Sequence, residues 1–463
     1  PFWLKPFSFK TLLAVFDLVA MKKRSKLAHG SPCSSVQRQA KKARGEDPVE
    51  LFWHYADQVE KKHNKRNVED PIVAKYAFPP ADLRGEMNVK FNQQILTKIA
   101  GGDKTWQMIL IGTFQAPDNP WCFLETLPPF LKGVKAQQAG AKSLAKKHFD
   151  DIGRVLQARY VRGIPAADLK SGKRKGTVQG YGDVGLYSGE HQTAILPGMT
   201  HPQGLRWKLE HWPYWLEHAV VPLLDSWPKP TDAARIDTML KEKRFAKLLP
   251  QGTETKIVPH AGARAVRIVD LFGGNAAYAR SVISQALLFQ ELLKPSDKGQ
   301  RRLRNKYGWG VGPFTVRGLW MECSKFPTLT KSFPQFDTAT FCPGFVGALG
   351  GIQACNLEAS TGVSLTALKG GNVNWSKWDV QVRFGAWMYA LQVAKPSARM
   401  HCTELEATLC FFLRYARMRS SDPKSQQYQA AARAIGANLD SRVVAALYGK
   451  HHIAEAKAII ARA

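Results

Sequence analysis

Acidic residues are scarce in this chain: its 463 residues include only 37 aspartates and glutamates, compared with 66 lysines and arginines. The net charge is therefore +29. Such an excess argues against an ordinary neutral surface and favours a polyanionic partner, most simply nucleic acid. A basic surface without a specific partner, as in ribosome-associated proteins, and an anionic membrane surface are the alternatives.

Cysteines are few and loosely spaced. The seven of them are an odd number, and no two form a CxxC pair. This argues against both a disulfide framework and a zinc module, so we expect most of the thiols to be buried as small apolar groups. His201, His211 and His218 do not have the spacing of metal ligands on one helical face. We identify no metal site and no cofactor.

Long apolar runs are also lacking. Three charged side chains interrupt the apolar residues 1–20, which leaves them too short to span a bilayer, and no membrane partner is predicted. We expect the biological start at Met21 and a translated leader before it. A weak organelle-targeting or signal segment is the alternative.

A P-loop is missing too. The closest stretch, SGKRKGT at 171–177, does not have the GxxxxGK[ST] spacing and lies in a polar region. A kinase activity is therefore not expected in this chain.

Two basic clusters separated by a Gly/Ser/Pro spacer follow Met21. They are Lys22, Lys23, Arg24 and Lys26, and Arg38, Lys41, Lys42 and Arg44. The arrangement resembles a bipartite nuclear localisation signal, and a solvated tail is the alternative. We predict a nuclear protein, or otherwise a cytoplasmic one.

Helical periodicity dominates the rest of the chain, and we find no convincing strand alternation, so the predicted class is mostly α. Composition suggests five segments. They are an apolar leader with a disordered basic arm (1–49), an N-terminal helical lobe (50–227), a linker (228–262), a second lobe (263–423) and Ala-rich C-terminal helices (424–463).

Single residues predict where some helices begin and which face is buried. Phe52, Tyr55 and Val59 share one stripe of the first helix. Asn275 is a plausible N-cap for a helix over 275–293. Thr403 with Glu406 has the spacing of a capping box at the start of a helix over 403–419.

Three glycines crowd residues 307–312. The stretch YGWGVGPF contains Gly308, Gly310 and Gly312, followed by Pro313, a favoured first residue of a helix. This is the helix-hairpin-helix pattern, in which backbone N–H groups at a helix N-terminus bind a phosphate oxygen without reading a base. An ordinary tight interhelical turn is the alternative.

Basic residues precede the hairpin. Further phosphate contacts are predicted for Arg301, Arg302, Arg304 and Lys306. Each such contact releases counterions and makes binding dependent on salt.

An aspartate follows the hairpin, as it does in helix-hairpin-helix base-excision glycosylases. Asp337 comes 25 residues after Gly312, slightly further than usual in those enzymes. A carboxylate there can stabilise positive charge at a sugar C1′ or activate a nucleophile. Capping of a helix by Asp337 is the alternative. Pro313 and Phe314 stand where strand-cleaving glycosylases have a lysine, so a Schiff-base lyase is not predicted.

Four stretches, in order, resemble a more specific family. They are DPIVAKYAFPPADLRGEMNVKFNQQIL (70–96), GVGPFTVRGLW (310–320), FDTATFCPGFVGALGGIQ (336–353) and LEATLCFFLRYARM (405–418). They are similar to the α-glutamyl/putrescinyl thymine pyrophosphorylase group and to the related helical domain of 5-hydroxymethyluracil DNA kinases. Phe411 and Arg414 depart from that pattern, where an acidic residue and a lysine are expected.

The resemblance implies a two-lobed helical fold of the helix-hairpin-helix DNA glycosylase type. It implies an enzyme that hypermodifies DNA, displacing pyrophosphate from an activated hydroxymethyl group of a flipped thymine derivative, with a separate kinase supplying the activated base. Asp337 would be the acid/base or charge-stabilising group. The pocket for the base and pyrophosphate would comprise Arg84, Arg317, Phe341, Gly344, Gly347 and Gly351.

Two other functions remain open on the sequence. The same scaffold could carry a monofunctional DNA glycosylase, which would release a free base. It could also serve a DNA- or RNA-binding protein without catalytic activity.

Overall fold

The computed structural model describes residues 47–75, 94, 98–99, 107–108, 120–148, 151, 215–246, 256–257, 266–294, 313–324, 327–363, 373–419 and 450–462. These residues are mostly helical, as predicted. The α-helices with defined bounds are α1 (Pro48–His63), α2 (Pro71–Lys75), α3 (Pro120–Gln138), α4 (Val221–Ser226), α5 (Ala233–Leu240), α6 (Lys243–Ala246), α7 (Ala276–Leu293), α8 (Pro313–Cys323), α9 (Pro327–Ser332), α10 (Val346–Ala354), α11 (Leu357–Thr361), α12 (Trp378–Ala394), α13 (Cys402–Arg419) and α14 (Lys450–Arg462).

Other regular structure is limited to short pieces among the described residues. A π-helical turn, Leu216–Val220, leads directly into α4, and 3₁₀ turns span Ile268–Phe272 and Pro396–Ala398. Strands β1 (Lys256–Ile257) and β2 (Val266–Arg267) form one antiparallel pair. Such a pair is too short to form a core, so the helices provide it.

Helix α12 lies between two hydrophobic clusters. Its residues Val382 and Ala386 belong to the first cluster, with α3, α7 and α8, whereas Phe384 and Trp387 belong to the second, with α1, α10 and α13. A helix that is apolar on all sides must be buried, and α12 meets that condition between two layers. Each cluster draws residues from both of the lobes predicted from the sequence.

The apolar face predicted for α1 is confirmed. Phe52, Tyr55 and Val59 are all buried. Asp47 caps the helix, since its carboxylate accepts a hydrogen bond from the Val49 N–H at 2.9 Å, and Pro48 occupies the first turn.

One helix start was predicted correctly and another was not. Asn275 caps α7 by accepting from the Tyr278 N–H at 3.1 Å. The capping box of Thr403 with Glu406 is wrong, because α13 begins one residue earlier, at Cys402. Glu404 then stands at the third helical position and accepts from the His401 N–H at 2.7 Å. Glu406 is thereby left to point into the protein.

The C-terminal helix α14 packs against α3, and its residues Ile459 and Ile460 contact the first hydrophobic cluster. The last segment of the chain is therefore part of the same helical assembly. Within the part of the chain that the structure describes, no helix combines the length and apolar character that a membrane crossing requires.

Candidate functional site

The hairpin glycines lie outside the described residues. The basic residues before the hairpin and one arginine of the predicted pocket also lie outside them. Together these residues are Gly308, Gly310, Gly312, Arg301, Arg302, Arg304, Lys306 and Arg84. The helix that follows the hairpin is described, and α8 begins at Pro313 as predicted. Phosphate binding at the hairpin stays a prediction.

Arg317 lies one turn into α8 and forms an ion pair inside the protein. Its guanidinium donates a hydrogen bond to the Glu406 carboxylate on α13. The side chain of Arg317 is 13% exposed and that of Glu406 is 1% exposed. This pair joins the helix after the hairpin to α13. The sequence suggested a phosphate contact for Arg317, and that contact stays a prediction.

Burial and charge act together on this pair. Burial alone would lower the pKa of Arg317, but the neighbouring Glu406 carboxylate raises it above the ordinary value. Burial raises the pKa of Glu406, against the opposing effect of the guanidinium. The thiol of Cys410, one turn further along α13, lies 3.9 Å from Glu406 Oε1. Sequence reasoning missed Glu406 because a carboxylate early in a helix more often caps it.

Asp337 is half-buried and closes a turn. Its Oδ1 accepts a hydrogen bond from the Ala339 N–H at 3.0 Å, and its Oδ2 accepts from the Thr340 hydroxyl at 2.8 Å. This is an Asx turn and not a helix cap, since the next helix begins at Val346. A carboxylate offers about four acceptor positions. Two of them are used here, so Asp337 retains capacity for a further donor.

Buried polar groups of α7 hold one side of this turn. The Ser281 hydroxyl lies 2.8 Å from Thr340 Oγ1. With its amide assigned so that both atoms find partners, Gln285 donates to the carbonyl oxygens of Asp337 at 3.0 Å and Gln335 at 3.1 Å. The backbone at Asp337 is thus fixed from within the core.

The other side of the turn is held by α12 and α13. Gln392 Nε2 donates to the carbonyl of Ala339 at 3.0 Å, and the Cys402 thiol donates to the same oxygen at 3.6 Å. The Tyr278 hydroxyl donates to Gln392 Oε1 at 2.6 Å. Burial, with a contribution from the Asp337 charge, raises the pKa of Cys402 to about 12. Such a thiol is a packing group and not a nucleophile.

The four predicted pocket residues of 341–351 pack against protein. Phe341 is fully buried, with its ring centroid 5.5 Å from that of Trp320. A Cβ added to Gly344 would stand 2.2 Å from the Phe384 ring, one on Gly347 would stand 2.8 Å from Cys410 Sγ, and one on Gly351 would stand 2.2 Å from the Leu409 carbonyl oxygen. Gly344 allows the segment before α10 to approach α12 closely, and Gly347 and Gly351 allow α10 to approach α13 closely. Their role in a base pocket stays a prediction.

A separate cleft of about 460 Å³ opens between α1, α2 and the end of α13. At its wall, Asp70 accepts from the Tyr415 hydroxyl at 2.7 Å, and the His54 imidazole lies 3.7 Å from the same carboxylate oxygen. Arg419 donates to Tyr415 at 3.1 Å. Asp70 also caps α2 through the Ile72 and Val73 N–H groups. These hydrogen bonds give the Asp70 carboxylate a structural role. In the sequence, the Asp-Pro helix start is the one sign of this cleft.

No group of three or more His, Cys, Asp or Glu side chains within the described ranges is arranged to hold a metal ion.

Comparison with known proteins returned no family model that matches this chain and no significantly similar curated protein or solved structure.

The buried thiol of Cys402 leads to a prediction about pH. Because the folded-state pKa of about 12 lies above that of an unfolded cysteine, the thiol contributes stability that is complete below about pH 8.5 and declines as pH rises toward 12. The loss is at most about 1.4 kcal/mol per pH unit for this group. Urea unfolding at pH 8, 9 and 10 should show a shallower decline in Cys402→Ser than in the unchanged protein. Identical declines would contradict the assignment.

Proposed function

We propose that this protein is a DNA-binding enzyme that modifies a pyrimidine swung out of the duplex, with Asp337 at the reacting base. The proposed substrate is a thymine derivative with an activated hydroxymethyl group, such as pyrophosphorylated 5-hydroxymethyluracil, supplied by a separate kinase. The proposed reaction displaces pyrophosphate from that group. The basic clusters within residues 21–49 support a nuclear location for it.

The observation that carries the proposal is the way Asp337 is held. Its backbone is fixed from α7 through Gln285 and from α12 and α13 through contacts to Ala339, yet the side chain is only half-buried and has acceptor capacity left. Catalytic groups need such fixed positions because a preorganised carboxylate stabilises developing positive charge without reorganising. Loss of pyrophosphate from the hydroxymethyl carbon develops that kind of charge.

The DNA-binding part is supported by charge and by α8. The chain carries a net charge of +29, and α8 begins at Pro313, directly after the three glycines. The N–H groups of a first helical turn lack partners within the helix and favour an anion. The Arg317–Glu406 pair would hold this helix in a fixed orientation relative to α13.

The test is a mass measurement on DNA nucleosides. Duplex DNA carrying pyrophosphorylated hydroxymethyluracil is incubated with the protein and a primary amine, then digested and weighed. We expect the wild-type protein to release pyrophosphate and to yield, in an intact strand, a nucleoside with the mass of 5-hydroxymethyldeoxyuridine plus the amine minus one water. We expect Asp337→Asn, whose side chain can still accept from the Ala339 N–H, to lower the rate by roughly 100-fold or more.

Asp270→Asn is the matched control, since Asp270 is an exposed carboxylate elsewhere in the chain, and its rate should not change. Release of free base would indicate the glycosylase instead.

A non-catalytic nucleic-acid-binding protein is the second candidate. It is favoured by the two hydrogen bonds that Asp337 already makes within its own turn, which need no reaction to explain them. DNA that is bound by the wild-type protein but chemically unchanged would establish this second function and exclude the first.

A further inference from the structure

A lysine-rich surface lies on α3 and on the helical residues 142–148 that follow it. Between Leu127 and Phe149 the sequence has five lysines and no carboxylate. All five, which we call the lysine patch, have exposed side chains: Lys132, Lys135, Lys142, Lys146 and Lys147.

The chain reverses between the two helices, which brings lysines of both helices close to His148. Gly140 has a φ of +75°, in the left-handed region, and the Ala141 N–H donates to the Ala136 carbonyl at 2.8 Å. Ala145, which is 1% exposed, anchors the second helix on the first hydrophobic cluster. His148 then lies close enough to Lys132 for the two to interact electrostatically.

Two features of the patch set positive charges close together, although Asp151 lies 4.0 Å from His148 and offsets part of this. Lys142 and Lys146 are four residues apart on one helix, a spacing at which like charges destabilise a helix. Burial, together with the positive charges of Lys132 and Lys147, lowers the pKa of His148. A bound polyanion would relieve this repulsion.

The character of the surface indicates which polyanion. An interfacial membrane helix needs a broad apolar face as well as a basic one, and over 142–148 the exposed apolar side chain is Leu144 alone, at 49%. A surface that offers mainly charge and, over 142–148, no Phe, Tyr or Trp side chain fits the phosphate backbone of a duplex, in which the bases are stacked and out of reach.

We propose that the lysine patch is a second DNA-contacting surface, which binds the phosphate backbone of the duplex away from the hairpin. The inference rests on the proposed function only in taking DNA as the bound polymer. It requires no chemistry at Asp337.

The test compares two triple variants of the full-length chain. Lys142, Lys146 and Lys147 are changed to Gln in one. Lys229, Lys241 and Lys243, three exposed lysines outside the patch, are changed to Gln in the control. Binding to a fluorescent 25-base-pair duplex is titrated by anisotropy between 50 and 300 mM NaCl.

The patch variant is expected to bind duplex DNA about 100- to 500-fold more weakly at 0.1 M salt. Its slope of log Kobs against log[salt] should be less steep by up to about 2.7, because each phosphate contact contributes about 0.9. The control variant should keep the wild-type slope.

Two outcomes overturn the proposal. One is an equal slope in the patch and control variants. The other is a patch variant that loses binding to single-stranded RNA, or to vesicles containing phosphatidylserine, while its duplex slope is unchanged. If instead the slope changes as expected but no modified nucleoside forms, the lysine patch stands and the proposed function fails.

Discussion

Changing Glu406 to Ala is expected to destabilise the protein by about 3–5 kcal/mol, because it leaves a buried arginine without its ionic partner. Arg317 is 13% exposed and Glu406 only 1%. The guanidinium cannot lose its proton to escape the penalty, since arginine stays charged in proteins. Urea unfolding followed by tryptophan fluorescence measures the loss, which should move the midpoint without changing the m-value.

The control removes both charges at once. In Arg317→Met with Glu406→Leu neither charge of the pair is left, and replacing a buried ion pair by apolar side chains of similar volume is often neutral or stabilising. We expect the double variant to recover most of the stability that Glu406→Ala loses. Solvent-exposed ion pairs contribute at most about 1 kcal/mol to the free energy of unfolding. If Glu406→Ala lowers that free energy by less than this, the result would contradict the burial of the Arg317–Glu406 pair.

The double variant also tests how α8 is positioned. If the ion pair fixes the helix that follows the hairpin, the double variant should be stable and yet bind DNA more weakly than the wild-type protein. Anisotropy titration on the same duplex measures this. Unchanged affinity would restrict the role of the pair to folding.

Local patterns are sufficient to predict the helices. The stripe of Phe52, Tyr55 and Val59 predicts the buried face of α1, and Asn275 predicts the start of α7, because periodicity and capping depend on neighbours in sequence. The start of α13 illustrates the limit. A shift of the cap by two residues, from Thr403 to His401, exchanges the roles of Glu404 and Glu406, so that one carboxylate caps the helix and the other becomes a buried ion.

Partners distant in sequence cannot be predicted in this way. Arg317 and Glu406 are 89 residues apart, and nothing near either residue indicates the other. On the sequence, Asp337 is a candidate because of its place after the hairpin. The groups that hold it, on α7, α12 and α13, become neighbours only through the packing of those helices.

Glycine shows a further ambiguity. A glycine indicates that something approaches the backbone closely, but the sequence does not say whether that is a ligand or another helix. On the sequence, three glycines of this region, Gly344, Gly347 and Gly351, are predicted to line a base pocket. In the structure the space beside Gly344, Gly347 and Gly351 is occupied by α12 and α13.

Gly351→Ala is therefore expected to separate α10 from α13 and to destabilise the protein by about 3 kcal/mol or more, at or beyond the upper end of typical overpacking. The new methyl group would stand 2.2 Å from the Leu409 carbonyl oxygen and 2.7 Å from its carbonyl carbon. Backbone atoms cannot rotate aside as a side chain can, so the helices themselves must move. The gain of about 1 kcal/mol from replacing glycine by alanine in a helix offsets only part of this.

Gly347→Ala is the matched control on the same helix. Its methyl group would stand 2.8 Å from Cys410 Sγ, a side-chain atom that can turn away. We expect a loss of about 1 kcal/mol or less, because the helix-propensity gain is the same in both variants. Thermal or urea unfolding of the two proteins separates the effects of backbone and side-chain contact. Equal losses of stability would mean that α10 and α13 are not held as closely as the structure places them.

The same two variants also connect this contact to DNA binding. If only Gly351→Ala loses stability and it also binds DNA more weakly, the contact between α10 and α13 also sets the position of α8 through Glu406.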